Sequence, residues 1–298
     1  MADVPAQPAQ TAPASASPPT TPIVFVKYYE KGSTDISADQ IAVALAARGW
    51  RARSIPVREL PALRDGIAIF IKTSRLDHLL RAKARGNRLV LDVHDTVVFK
   101  RHIKNRWLYD ALIFKNRRQL ADFGRRGRLD RIIYHQWDAR YGPNRAPSDR
   151  LSIGFLGEPR SFALWGQIPG VECIPSSDWF AQAPRFNCHL SVRQPGRDFL
   201  YKPNLKVSTA AVCEAVLITT RDESAVELLG EDYPFYCGTT REEILAAIER
   251  ARAAFGQEPW VEALRRLRQV RELTHLDRVL DRYEDLFRDL TPAAEEQL

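Results

Sequence analysis

Short apolar runs alternate with amphipathic stretches along the chain, and their spacing sets the first expectation for the fold. Residues 23–28 form an apolar run of strand type, followed by a polar loop from Lys31 to Asp35. Ile41, Ala44, Leu45 and Arg48 then recur at helical spacing, with Ser37 or Asp39 as the N-cap and Gly49 placed to end the helix. Residues 51–55 read as a second strand. Strand, helix, strand is the unit of a parallel sheet, because parallel neighbours need a crossover connection. The pattern continues with a strand at 67–71, a helix at 75–84, a strand at 89–93, a long basic helix at 105–123 and a short strand at 132–134. Residues 141–148, Tyr-Gly-Pro-Asn-Arg-Ala-Pro-Ser, are dense in turn formers and read as a linker.

After the linker the alternation restarts. Strands are expected at 151–156, 171–174, 188–192 and 216–219, and helices at 205–215, 223–229 and 240–254. One long helix is expected over 259–288, with Trp260, Leu264, Leu267, Leu273, Leu280, Tyr283 and Phe287 on a single stripe. Two such blocks imply an α/β protein of two Rossmann-like domains facing each other across a cleft. Residues 23–148 would form the first and 149–298 the second, with the last helix free to cross back. Residues 1–22, rich in Pro, Ala, Ser and Thr and without Lys or Arg, read as a disordered tail rather than a secretory signal.

Composition narrows this picture. The chain has 298 residues, 45% hydrophobic and 27% charged, enough to bury a core in each domain. No stretch approaches the roughly 18 consecutive apolar residues of a membrane span. Cys173, Cys188, Cys213 and Cys237 lack metal or disulfide spacing and read as reduced thiols of a cytoplasmic protein. Net charge is +7, but residues 23–150 carry 27 Lys and Arg against 13 Asp and Glu, whereas 151–298 carry 17 against 23. A basic half suits a phosphate-bearing acceptor or an anionic membrane face. The cluster of Arg117, Arg118, Arg125, Arg126, Arg128 and Arg131 is the obvious contact, peripheral on the inner membrane face. Nucleic acid is the alternative partner, but no recognised motif accompanies the charge, and none is expected to bind.

The segment 201–211, Tyr-Lys-Pro-Asn-Leu-Lys-Val-Ser-Thr-Ala-Ala, carries the chemistry. Pro203 suits the start of a helix. Lys202 precedes it, and Lys206, Ser208 and Thr209 fall within the first turns. Unpaired N–H groups and a partial positive charge make such a helix end a site for a diphosphate. Arg193 and Arg197 in the preceding loop would add planar contacts.

In these residues the chain resembles glycosyltransferases of the GT-B fold. They often carry a lysine-proline, a second lysine one turn later, an alanine-rich helix and then a glycine-x-proline-valine-isoleucine strand. Lys202-Pro203, Lys206, Ala210 and Leu217-Ile218 match that order, while Glu214 and Val216 stand where the family usually has glycine and proline. Asp222-Glu223-Ser224-Ala225 is similar to the family's acidic-Ser-Ala element, implying donor sugar or ribose contacts for Glu223 and Ser224. Ile153-Gly154-Phe155-Leu156-Gly157 looks like the donor domain's first strand, with Arg160 behind it as a phosphate contact. Residues 32–49 look like the acceptor-side glycine loop, Gly32 and Ser33, and its helix. The resemblance implies transfer of a sugar from a nucleotide-sugar to a saccharide or lipid-linked acceptor.

Transfer needs a base for the acceptor or help from the leaving diphosphate. Asp92, His94 and Asp95, at the C-terminal end of an expected strand, are the candidate catalytic groups, His94 titrating and a carboxylate orienting it or acting as base. His135 and Asp138 form a second pair. No D-x-D run is present, so the expectation is no metal ion and no cofactor beyond the nucleotide-sugar substrate. The alternative within the same fold is a non-catalytic nucleotide-sugar or saccharide-binding protein.

Overall fold

The computed structural model describes residues 20–30, 32–94, 103–142, 144–158 and 162–291, a few of them by backbone only. Two all-parallel sheets organise the molecule. The first contains β1 (Ile23–Lys27), β2 (Ala52–Pro56), β3 (Ile67–Ile71), β4 (Arg88–Asp92), β5 (Ala111–Phe114) and β6 (Arg131–Ile132), in the order β2-β1-β3-β4-β5-β6. The second contains β7 (Ile153–Leu156), β8 (Val171–Ile174), β9 (Cys188–Ser191), β10 (Val216–Thr220) and β11 (Tyr236–Cys237), in the order β11-β10-β9-β7-β8. In both, the first strand lies inside the sheet and the chain reverses direction beside it. Ligand crevices of open α/β sheets form at that switch point, outside the carboxyl ends of the strands. The fold therefore offers one crevice beyond β1 and β3 and another beyond β7 and β9.

The first helix, α1, begins earlier than expected. Gly32–Thr34 opens it, a π-helical turn follows at Asp35–Gln40, and regular helix continues over Ile41–Ala47. The segment expected as a loop is therefore helical from Gly32. Ser37, expected as a cap, is instead buried inside the π turn, and Asp39 pairs with Lys27. Gly49 does end the helix with φ 90°.

Two other expectations are corrected. The long basic helix at 105–123 is instead a 3-10 turn (Ile103–Leu108), strand β5 and a short helix α3 (Arg117–Phe123). Ala111–Phe114 is completely buried between β4 and β6, so tertiary pairing outweighs the local helical spacing. The long C-terminal helix is two helices, α9 (Glu258–Leu273) and α10 (Leu276–Leu290). The break has local causes: Thr274 Oγ1 bonds back to Val270 O, and His275 Nδ1 accepts from Asp277 N as a new N-cap. Trp137 satisfies the carbonyls freed at the break, through its backbone N–H to Thr274 O (3.2 Å) and Nε1 to Arg271 O (3.1 Å). The apparent single stripe serves two cores. Trp260 and Leu267 pack on the second sheet, whereas Leu280, Tyr283 and Phe287 cross to the first and cover Ile23, Phe25 and Val90.

The remaining α-helices among the described residues are α2 (Leu76–Lys83), α4 (Trp179–Gln182), α5 (Arg197–Tyr201), α6 (Leu205–Val212), α7 (Glu223–Leu229) and α8 (Arg241–Ala253). Thr240 and Glu243 form a reciprocal capping box at the start of α8. Between α6 and β10, Glu214 adopts φ 51°, the left-handed conformation usually supplied there by glycine, and Arg271 holds its carboxylate at 2.7 Å. The departure from the glycine pattern thus leaves the turn intact at a modest conformational cost. None of the four cysteines is in a disulfide. No helix among the described residues is long and apolar enough to cross a membrane.

Candidate active site

A cavity of about 600 Å³ opens where the two switch points face each other. Gly32 follows β1, Lys72 follows β3 and His94 follows β4; Glu158 follows β7 and Arg193 follows β9; Lys202, Pro203 and the start of α6 close the opposite wall. Among the described residues, the cations Lys72, Arg140, Arg193, Lys202 and Lys206 line it with the carboxylates Asp138 and Glu158. Asp138 is buried and gripped by Arg140 at 2.5 to 3.1 Å, so these two charges offset each other. Trp179 and Phe180 supply an aromatic wall, with the Arg140 guanidinium stacked 4.2 Å from the Phe180 centroid.

At the start of α6, Asn204 holds the N-cap position, but its side chain serves the other domain. Its Oδ1 accepts from His135 N (3.1 Å) and its Nδ2 donates to His135 O (3.0 Å) and Ser208 Oγ (2.6 Å). Asn204 therefore does not cap the first N–H groups of the helix, whose first residues Leu205 and Lys206 border the cavity. Ser208 is buried, and Thr209 Oγ1 donates to Leu205 O at 2.8 Å while lining the cavity. Lys206 donates to Leu156 O and lies 4.1 Å from the Trp179 ring centroid. Burial, together with Arg193 nearby, pushes its pKa down to about 7, with Glu158 acting against them. Arg193 is aimed by Asp222 (2.8 Å), a buried carboxylate that also caps α7 through Ala225 N.

The acceptor-side wall is built on strain and burial. Lys72 (φ 64°) and His94 (φ 53°) are both left-handed at the ends of adjacent strands, an arrangement that costs energy and clusters at functional sites. Behind His94 lies a buried polar group. Lys115 Nζ donates to Asp92 Oδ2 (2.9 Å) and Ile133 O (3.1 Å), and Tyr283 of α10 donates to the same carboxylate oxygen (3.2 Å). His94 Nε2 stands 3.6 Å from Asp92 Oδ1, and its ring packs edge-on against His135 at 4.6 Å. Burial holds both imidazoles well below the usual histidine range, reinforced by Lys115 and Lys72, so both are neutral at pH 7.

Gly32, His94, Arg193, Lys202, Lys206, Ser208 and Thr209 are thus gathered around one cavity. Asp92 is not on its surface. It lies fully buried beneath His94 as the counter-ion of Lys115 and cannot reach a substrate as a base. Glu223 and Ser224 also stand off the lining. Ser224 Oγ donates to Lys202 O (2.5 Å) and accepts from Asn116 Nδ2 (3.2 Å), which fixes the lysine-bearing loop. Asp95 and Arg160 lie outside the described residues, and Ser33 is described by its backbone only. Asp138 is in the cavity, whereas His135 lies behind it, its Nδ1 3.1 Å from Ser37 Oγ.

Sequence reasoning missed Lys72, Arg140, Trp179 and Glu158. It also missed Gln119, whose Nε2 bridges His94 O (2.9 Å) and Tyr201 O (2.7 Å) and so links the two walls. Much of the charge in the expected basic cluster is neutralised: Arg118 pairs with Asp122, Arg125 with Asp130 and Arg131 with Asp289, while Arg117 lies 3.6 Å from Glu227.

No family model matches the sequence, and no curated protein matches it. Solved structures do. A glycosyltransferase from Rickettsia africae superposes with a TM-score of 0.68 at 10% identity, over 92% of this chain and 100% of that one. HepE of Anabaena, solved with UDP and glucose, gives 0.65 at 10%, over 92% and 100%. The GtfA/B complex gives 0.55 at 12%, over 80% of this chain and 59% of that one, so this chain spans less than two thirds of that relative. The likeness shows that the chain has the GT-B fold, with two Rossmann-like units.

Proposed function

We propose that the protein is a glycosyltransferase that moves a sugar from a nucleotide-sugar donor to a saccharide or lipid-linked acceptor. The observation that carries this reading is the convergence of Arg193, Lys202, Lys206, Thr209 and the open end of α6 on one wall of the interdomain cavity, opposite neutral His94. Such a wall complements a diphosphate, whose charge grows as the sugar's anomeric carbon–oxygen bond breaks. Lys206 and Arg193 would meet that growing charge, and Lys202 would hold the neighbouring phosphate.

Protonated His94 is disfavoured by burial, His135, Lys115 and Lys72 together. In this reading its imidazole orients the acceptor hydroxyl by a hydrogen bond, and the departing diphosphate takes up the hydroxyl proton. Asp92 keeps Lys115 and the His94 strand end in place without touching substrate. Gly32 leaves open space for the acceptor, since a Cβ there would meet nothing within 4 Å. Trp179 supports Lys206 from the aromatic side and keeps its ammonium on the cavity wall.

We propose further that side-chain cations and the helix dipole supply the positive charge that a divalent ion supplies in other sugar transferases. Turnover of a labelled nucleotide-sugar with and without EDTA tests both proposals. Product formed equally in both supports them. Strict dependence on added manganese removes the metal-independent reaction, and donor binding with neither transfer nor hydrolysis leaves a binding protein.

A further inference from the structure

We infer that α2 (Leu76–Lys83) docks the protein on an anionic lipid surface, with lipid phosphates entering a pocket on one flank of the helix and acyl chains meeting an apolar ridge on the other. The inference does not depend on the sugar-transfer reading.

The pocket, of about 230 Å³, lies between α2 and the 3-10 turn Val57–Ala62. Leu60 and Pro61 help form its apolar floor, and Arg58, His78, Arg81 and Arg85 form its rim, with no acidic residue among the described residues of the lining. Arg85 Nε is buried without a hydrogen-bond partner, and its Nη1 donates to Arg81 O (3.0 Å). Buried guanidinium N–H groups without partners are costly unless an acceptor arrives, and phosphate oxygens are the acceptors this fork geometry fits. His78 accompanies them, bonded to Tyr28 (2.7 Å) and 3.8 Å from Asp77.

The other flank is apolar and exposed. Leu76 and Leu80, 45% and 48% accessible, lie one turn apart and continue into Lys83. Lys83 Nζ bonds Asp110 at 2.7 Å, which turns that line of α2 toward the 3-10 turn Ile103–Leu108. On this turn stands Trp107, 63% accessible, with Lys104 and Arg106 exposed beside it. Asp77 is the acid on the outer side of α2, and Arg75 engages it at 3.1 and 3.3 Å.

Arginines alone would suit nucleic acid or an acidic protein, but either would leave Leu76, Leu80 and Trp107 in water. A lipid leaflet offers phosphate and hydrocarbon a few ångströms apart, and tryptophan favours that boundary. The cluster at 117–131, expected from sequence to make this contact, has most of its charge spent on acids of its own chain.

Co-sedimentation of the full chain with phosphatidylcholine vesicles, with and without phosphatidylglycerol, is the test. Partition onto the anionic vesicles should be higher by at least about tenfold and should fall with salt. Arg81→Glu and Trp107→Ala, both at exposed positions, should each lower it several-fold, whereas Arg252→Glu on α8 should not. Equal binding to both vesicle types, or unchanged binding in either α2-side variant, would overturn the inference. So would protection by inorganic phosphate that Arg81→Glu abolishes without vesicle binding, which marks a site for a soluble anion.

Discussion

Lys206 offers the sharpest test of the cavity's chemistry. Its amine leans on Trp179, donates to Leu156 O and has a pKa near 7. A charge-assisted hydrogen bond to phosphate contributes about 1.5–3 kcal/mol, or roughly 10- to 150-fold in Kd. The cavity is open to solvent, so Lys206→Met should weaken donor binding by about 30-fold, near the middle of that range. The pH dependence is the more specific signature. Below pH 7 the amine is already protonated and affinity should be level. Above it, each donor that binds must bring a proton onto Lys206, so affinity should fall by about tenfold per pH unit until the pKa of the complex is reached. A nucleotide-sugar diphosphate does not itself titrate in this window. Calorimetry between pH 6 and 9, in buffers of different ionisation enthalpy, reads both affinity and proton uptake. The donor for it is whichever of a UDP-, GDP- and TDP-sugar panel most raises the melting temperature. A Lys206→Met curve that still bends at pH 7, or a wild-type curve level to pH 9, would refute the reasoning.

Asp92→Asn should destabilise the protein by about 3–5 kcal/mol in urea unfolding, because it leaves the Lys115 ammonium buried without its counter-charge. A change below about 1 kcal/mol would show that Lys115 finds another partner or sheds its proton at little cost. Gly32→Phe should leave the melting temperature nearly unchanged, since nothing lies within 4 Å of a Cβ there. It should raise the acceptor KM while leaving donor Kd alone, and the opposite pattern would move Gly32 to the donor side. Thr240→Ala removes one half of an exposed capping box and should cost about 1 kcal/mol with no effect on turnover, separating stability from function in the second domain.

Much of the fold was legible because buried parallel strands are short apolar runs, and residues 67–71 and 216–219 could hardly be anything else. Residues 111–114 were not, because Ala-Leu-Ile-Phe between Trp107 and Leu120 also satisfies a helical stripe, and only pairing with β4 decides between them. The break at Thr274 was hidden for a similar reason: apolar positions stay in phase across it while their partners change from one core to the other. The phosphate wall could be read from Lys202-Pro203 and Lys206, since a local segment holds both charge and helix start. Lys72 and Arg140 could not, because a lysine's left-handed backbone and an arginine's approach from the domain junction leave no local trace. Asp92 shows the reverse error. Its place at a strand end suggested a base, yet its neighbour in space is Lys115, 23 positions away.

The crossing of α10 has a consequence for how the chain is made on the ribosome. The first sheet is complete once β6 has emerged, but Ile23, Phe25 and Val90 on one of its faces wait for Leu280, Tyr283 and Phe287. About 150 further residues must be translated first, or roughly 8–30 s at ordinary elongation rates. During that interval the nascent amino-terminal half carries an uncovered greasy face, which should make it a client for chaperones. A stop codon between Cys237 and Leu276 should release a polypeptide that precipitates although every strand of both sheets is present.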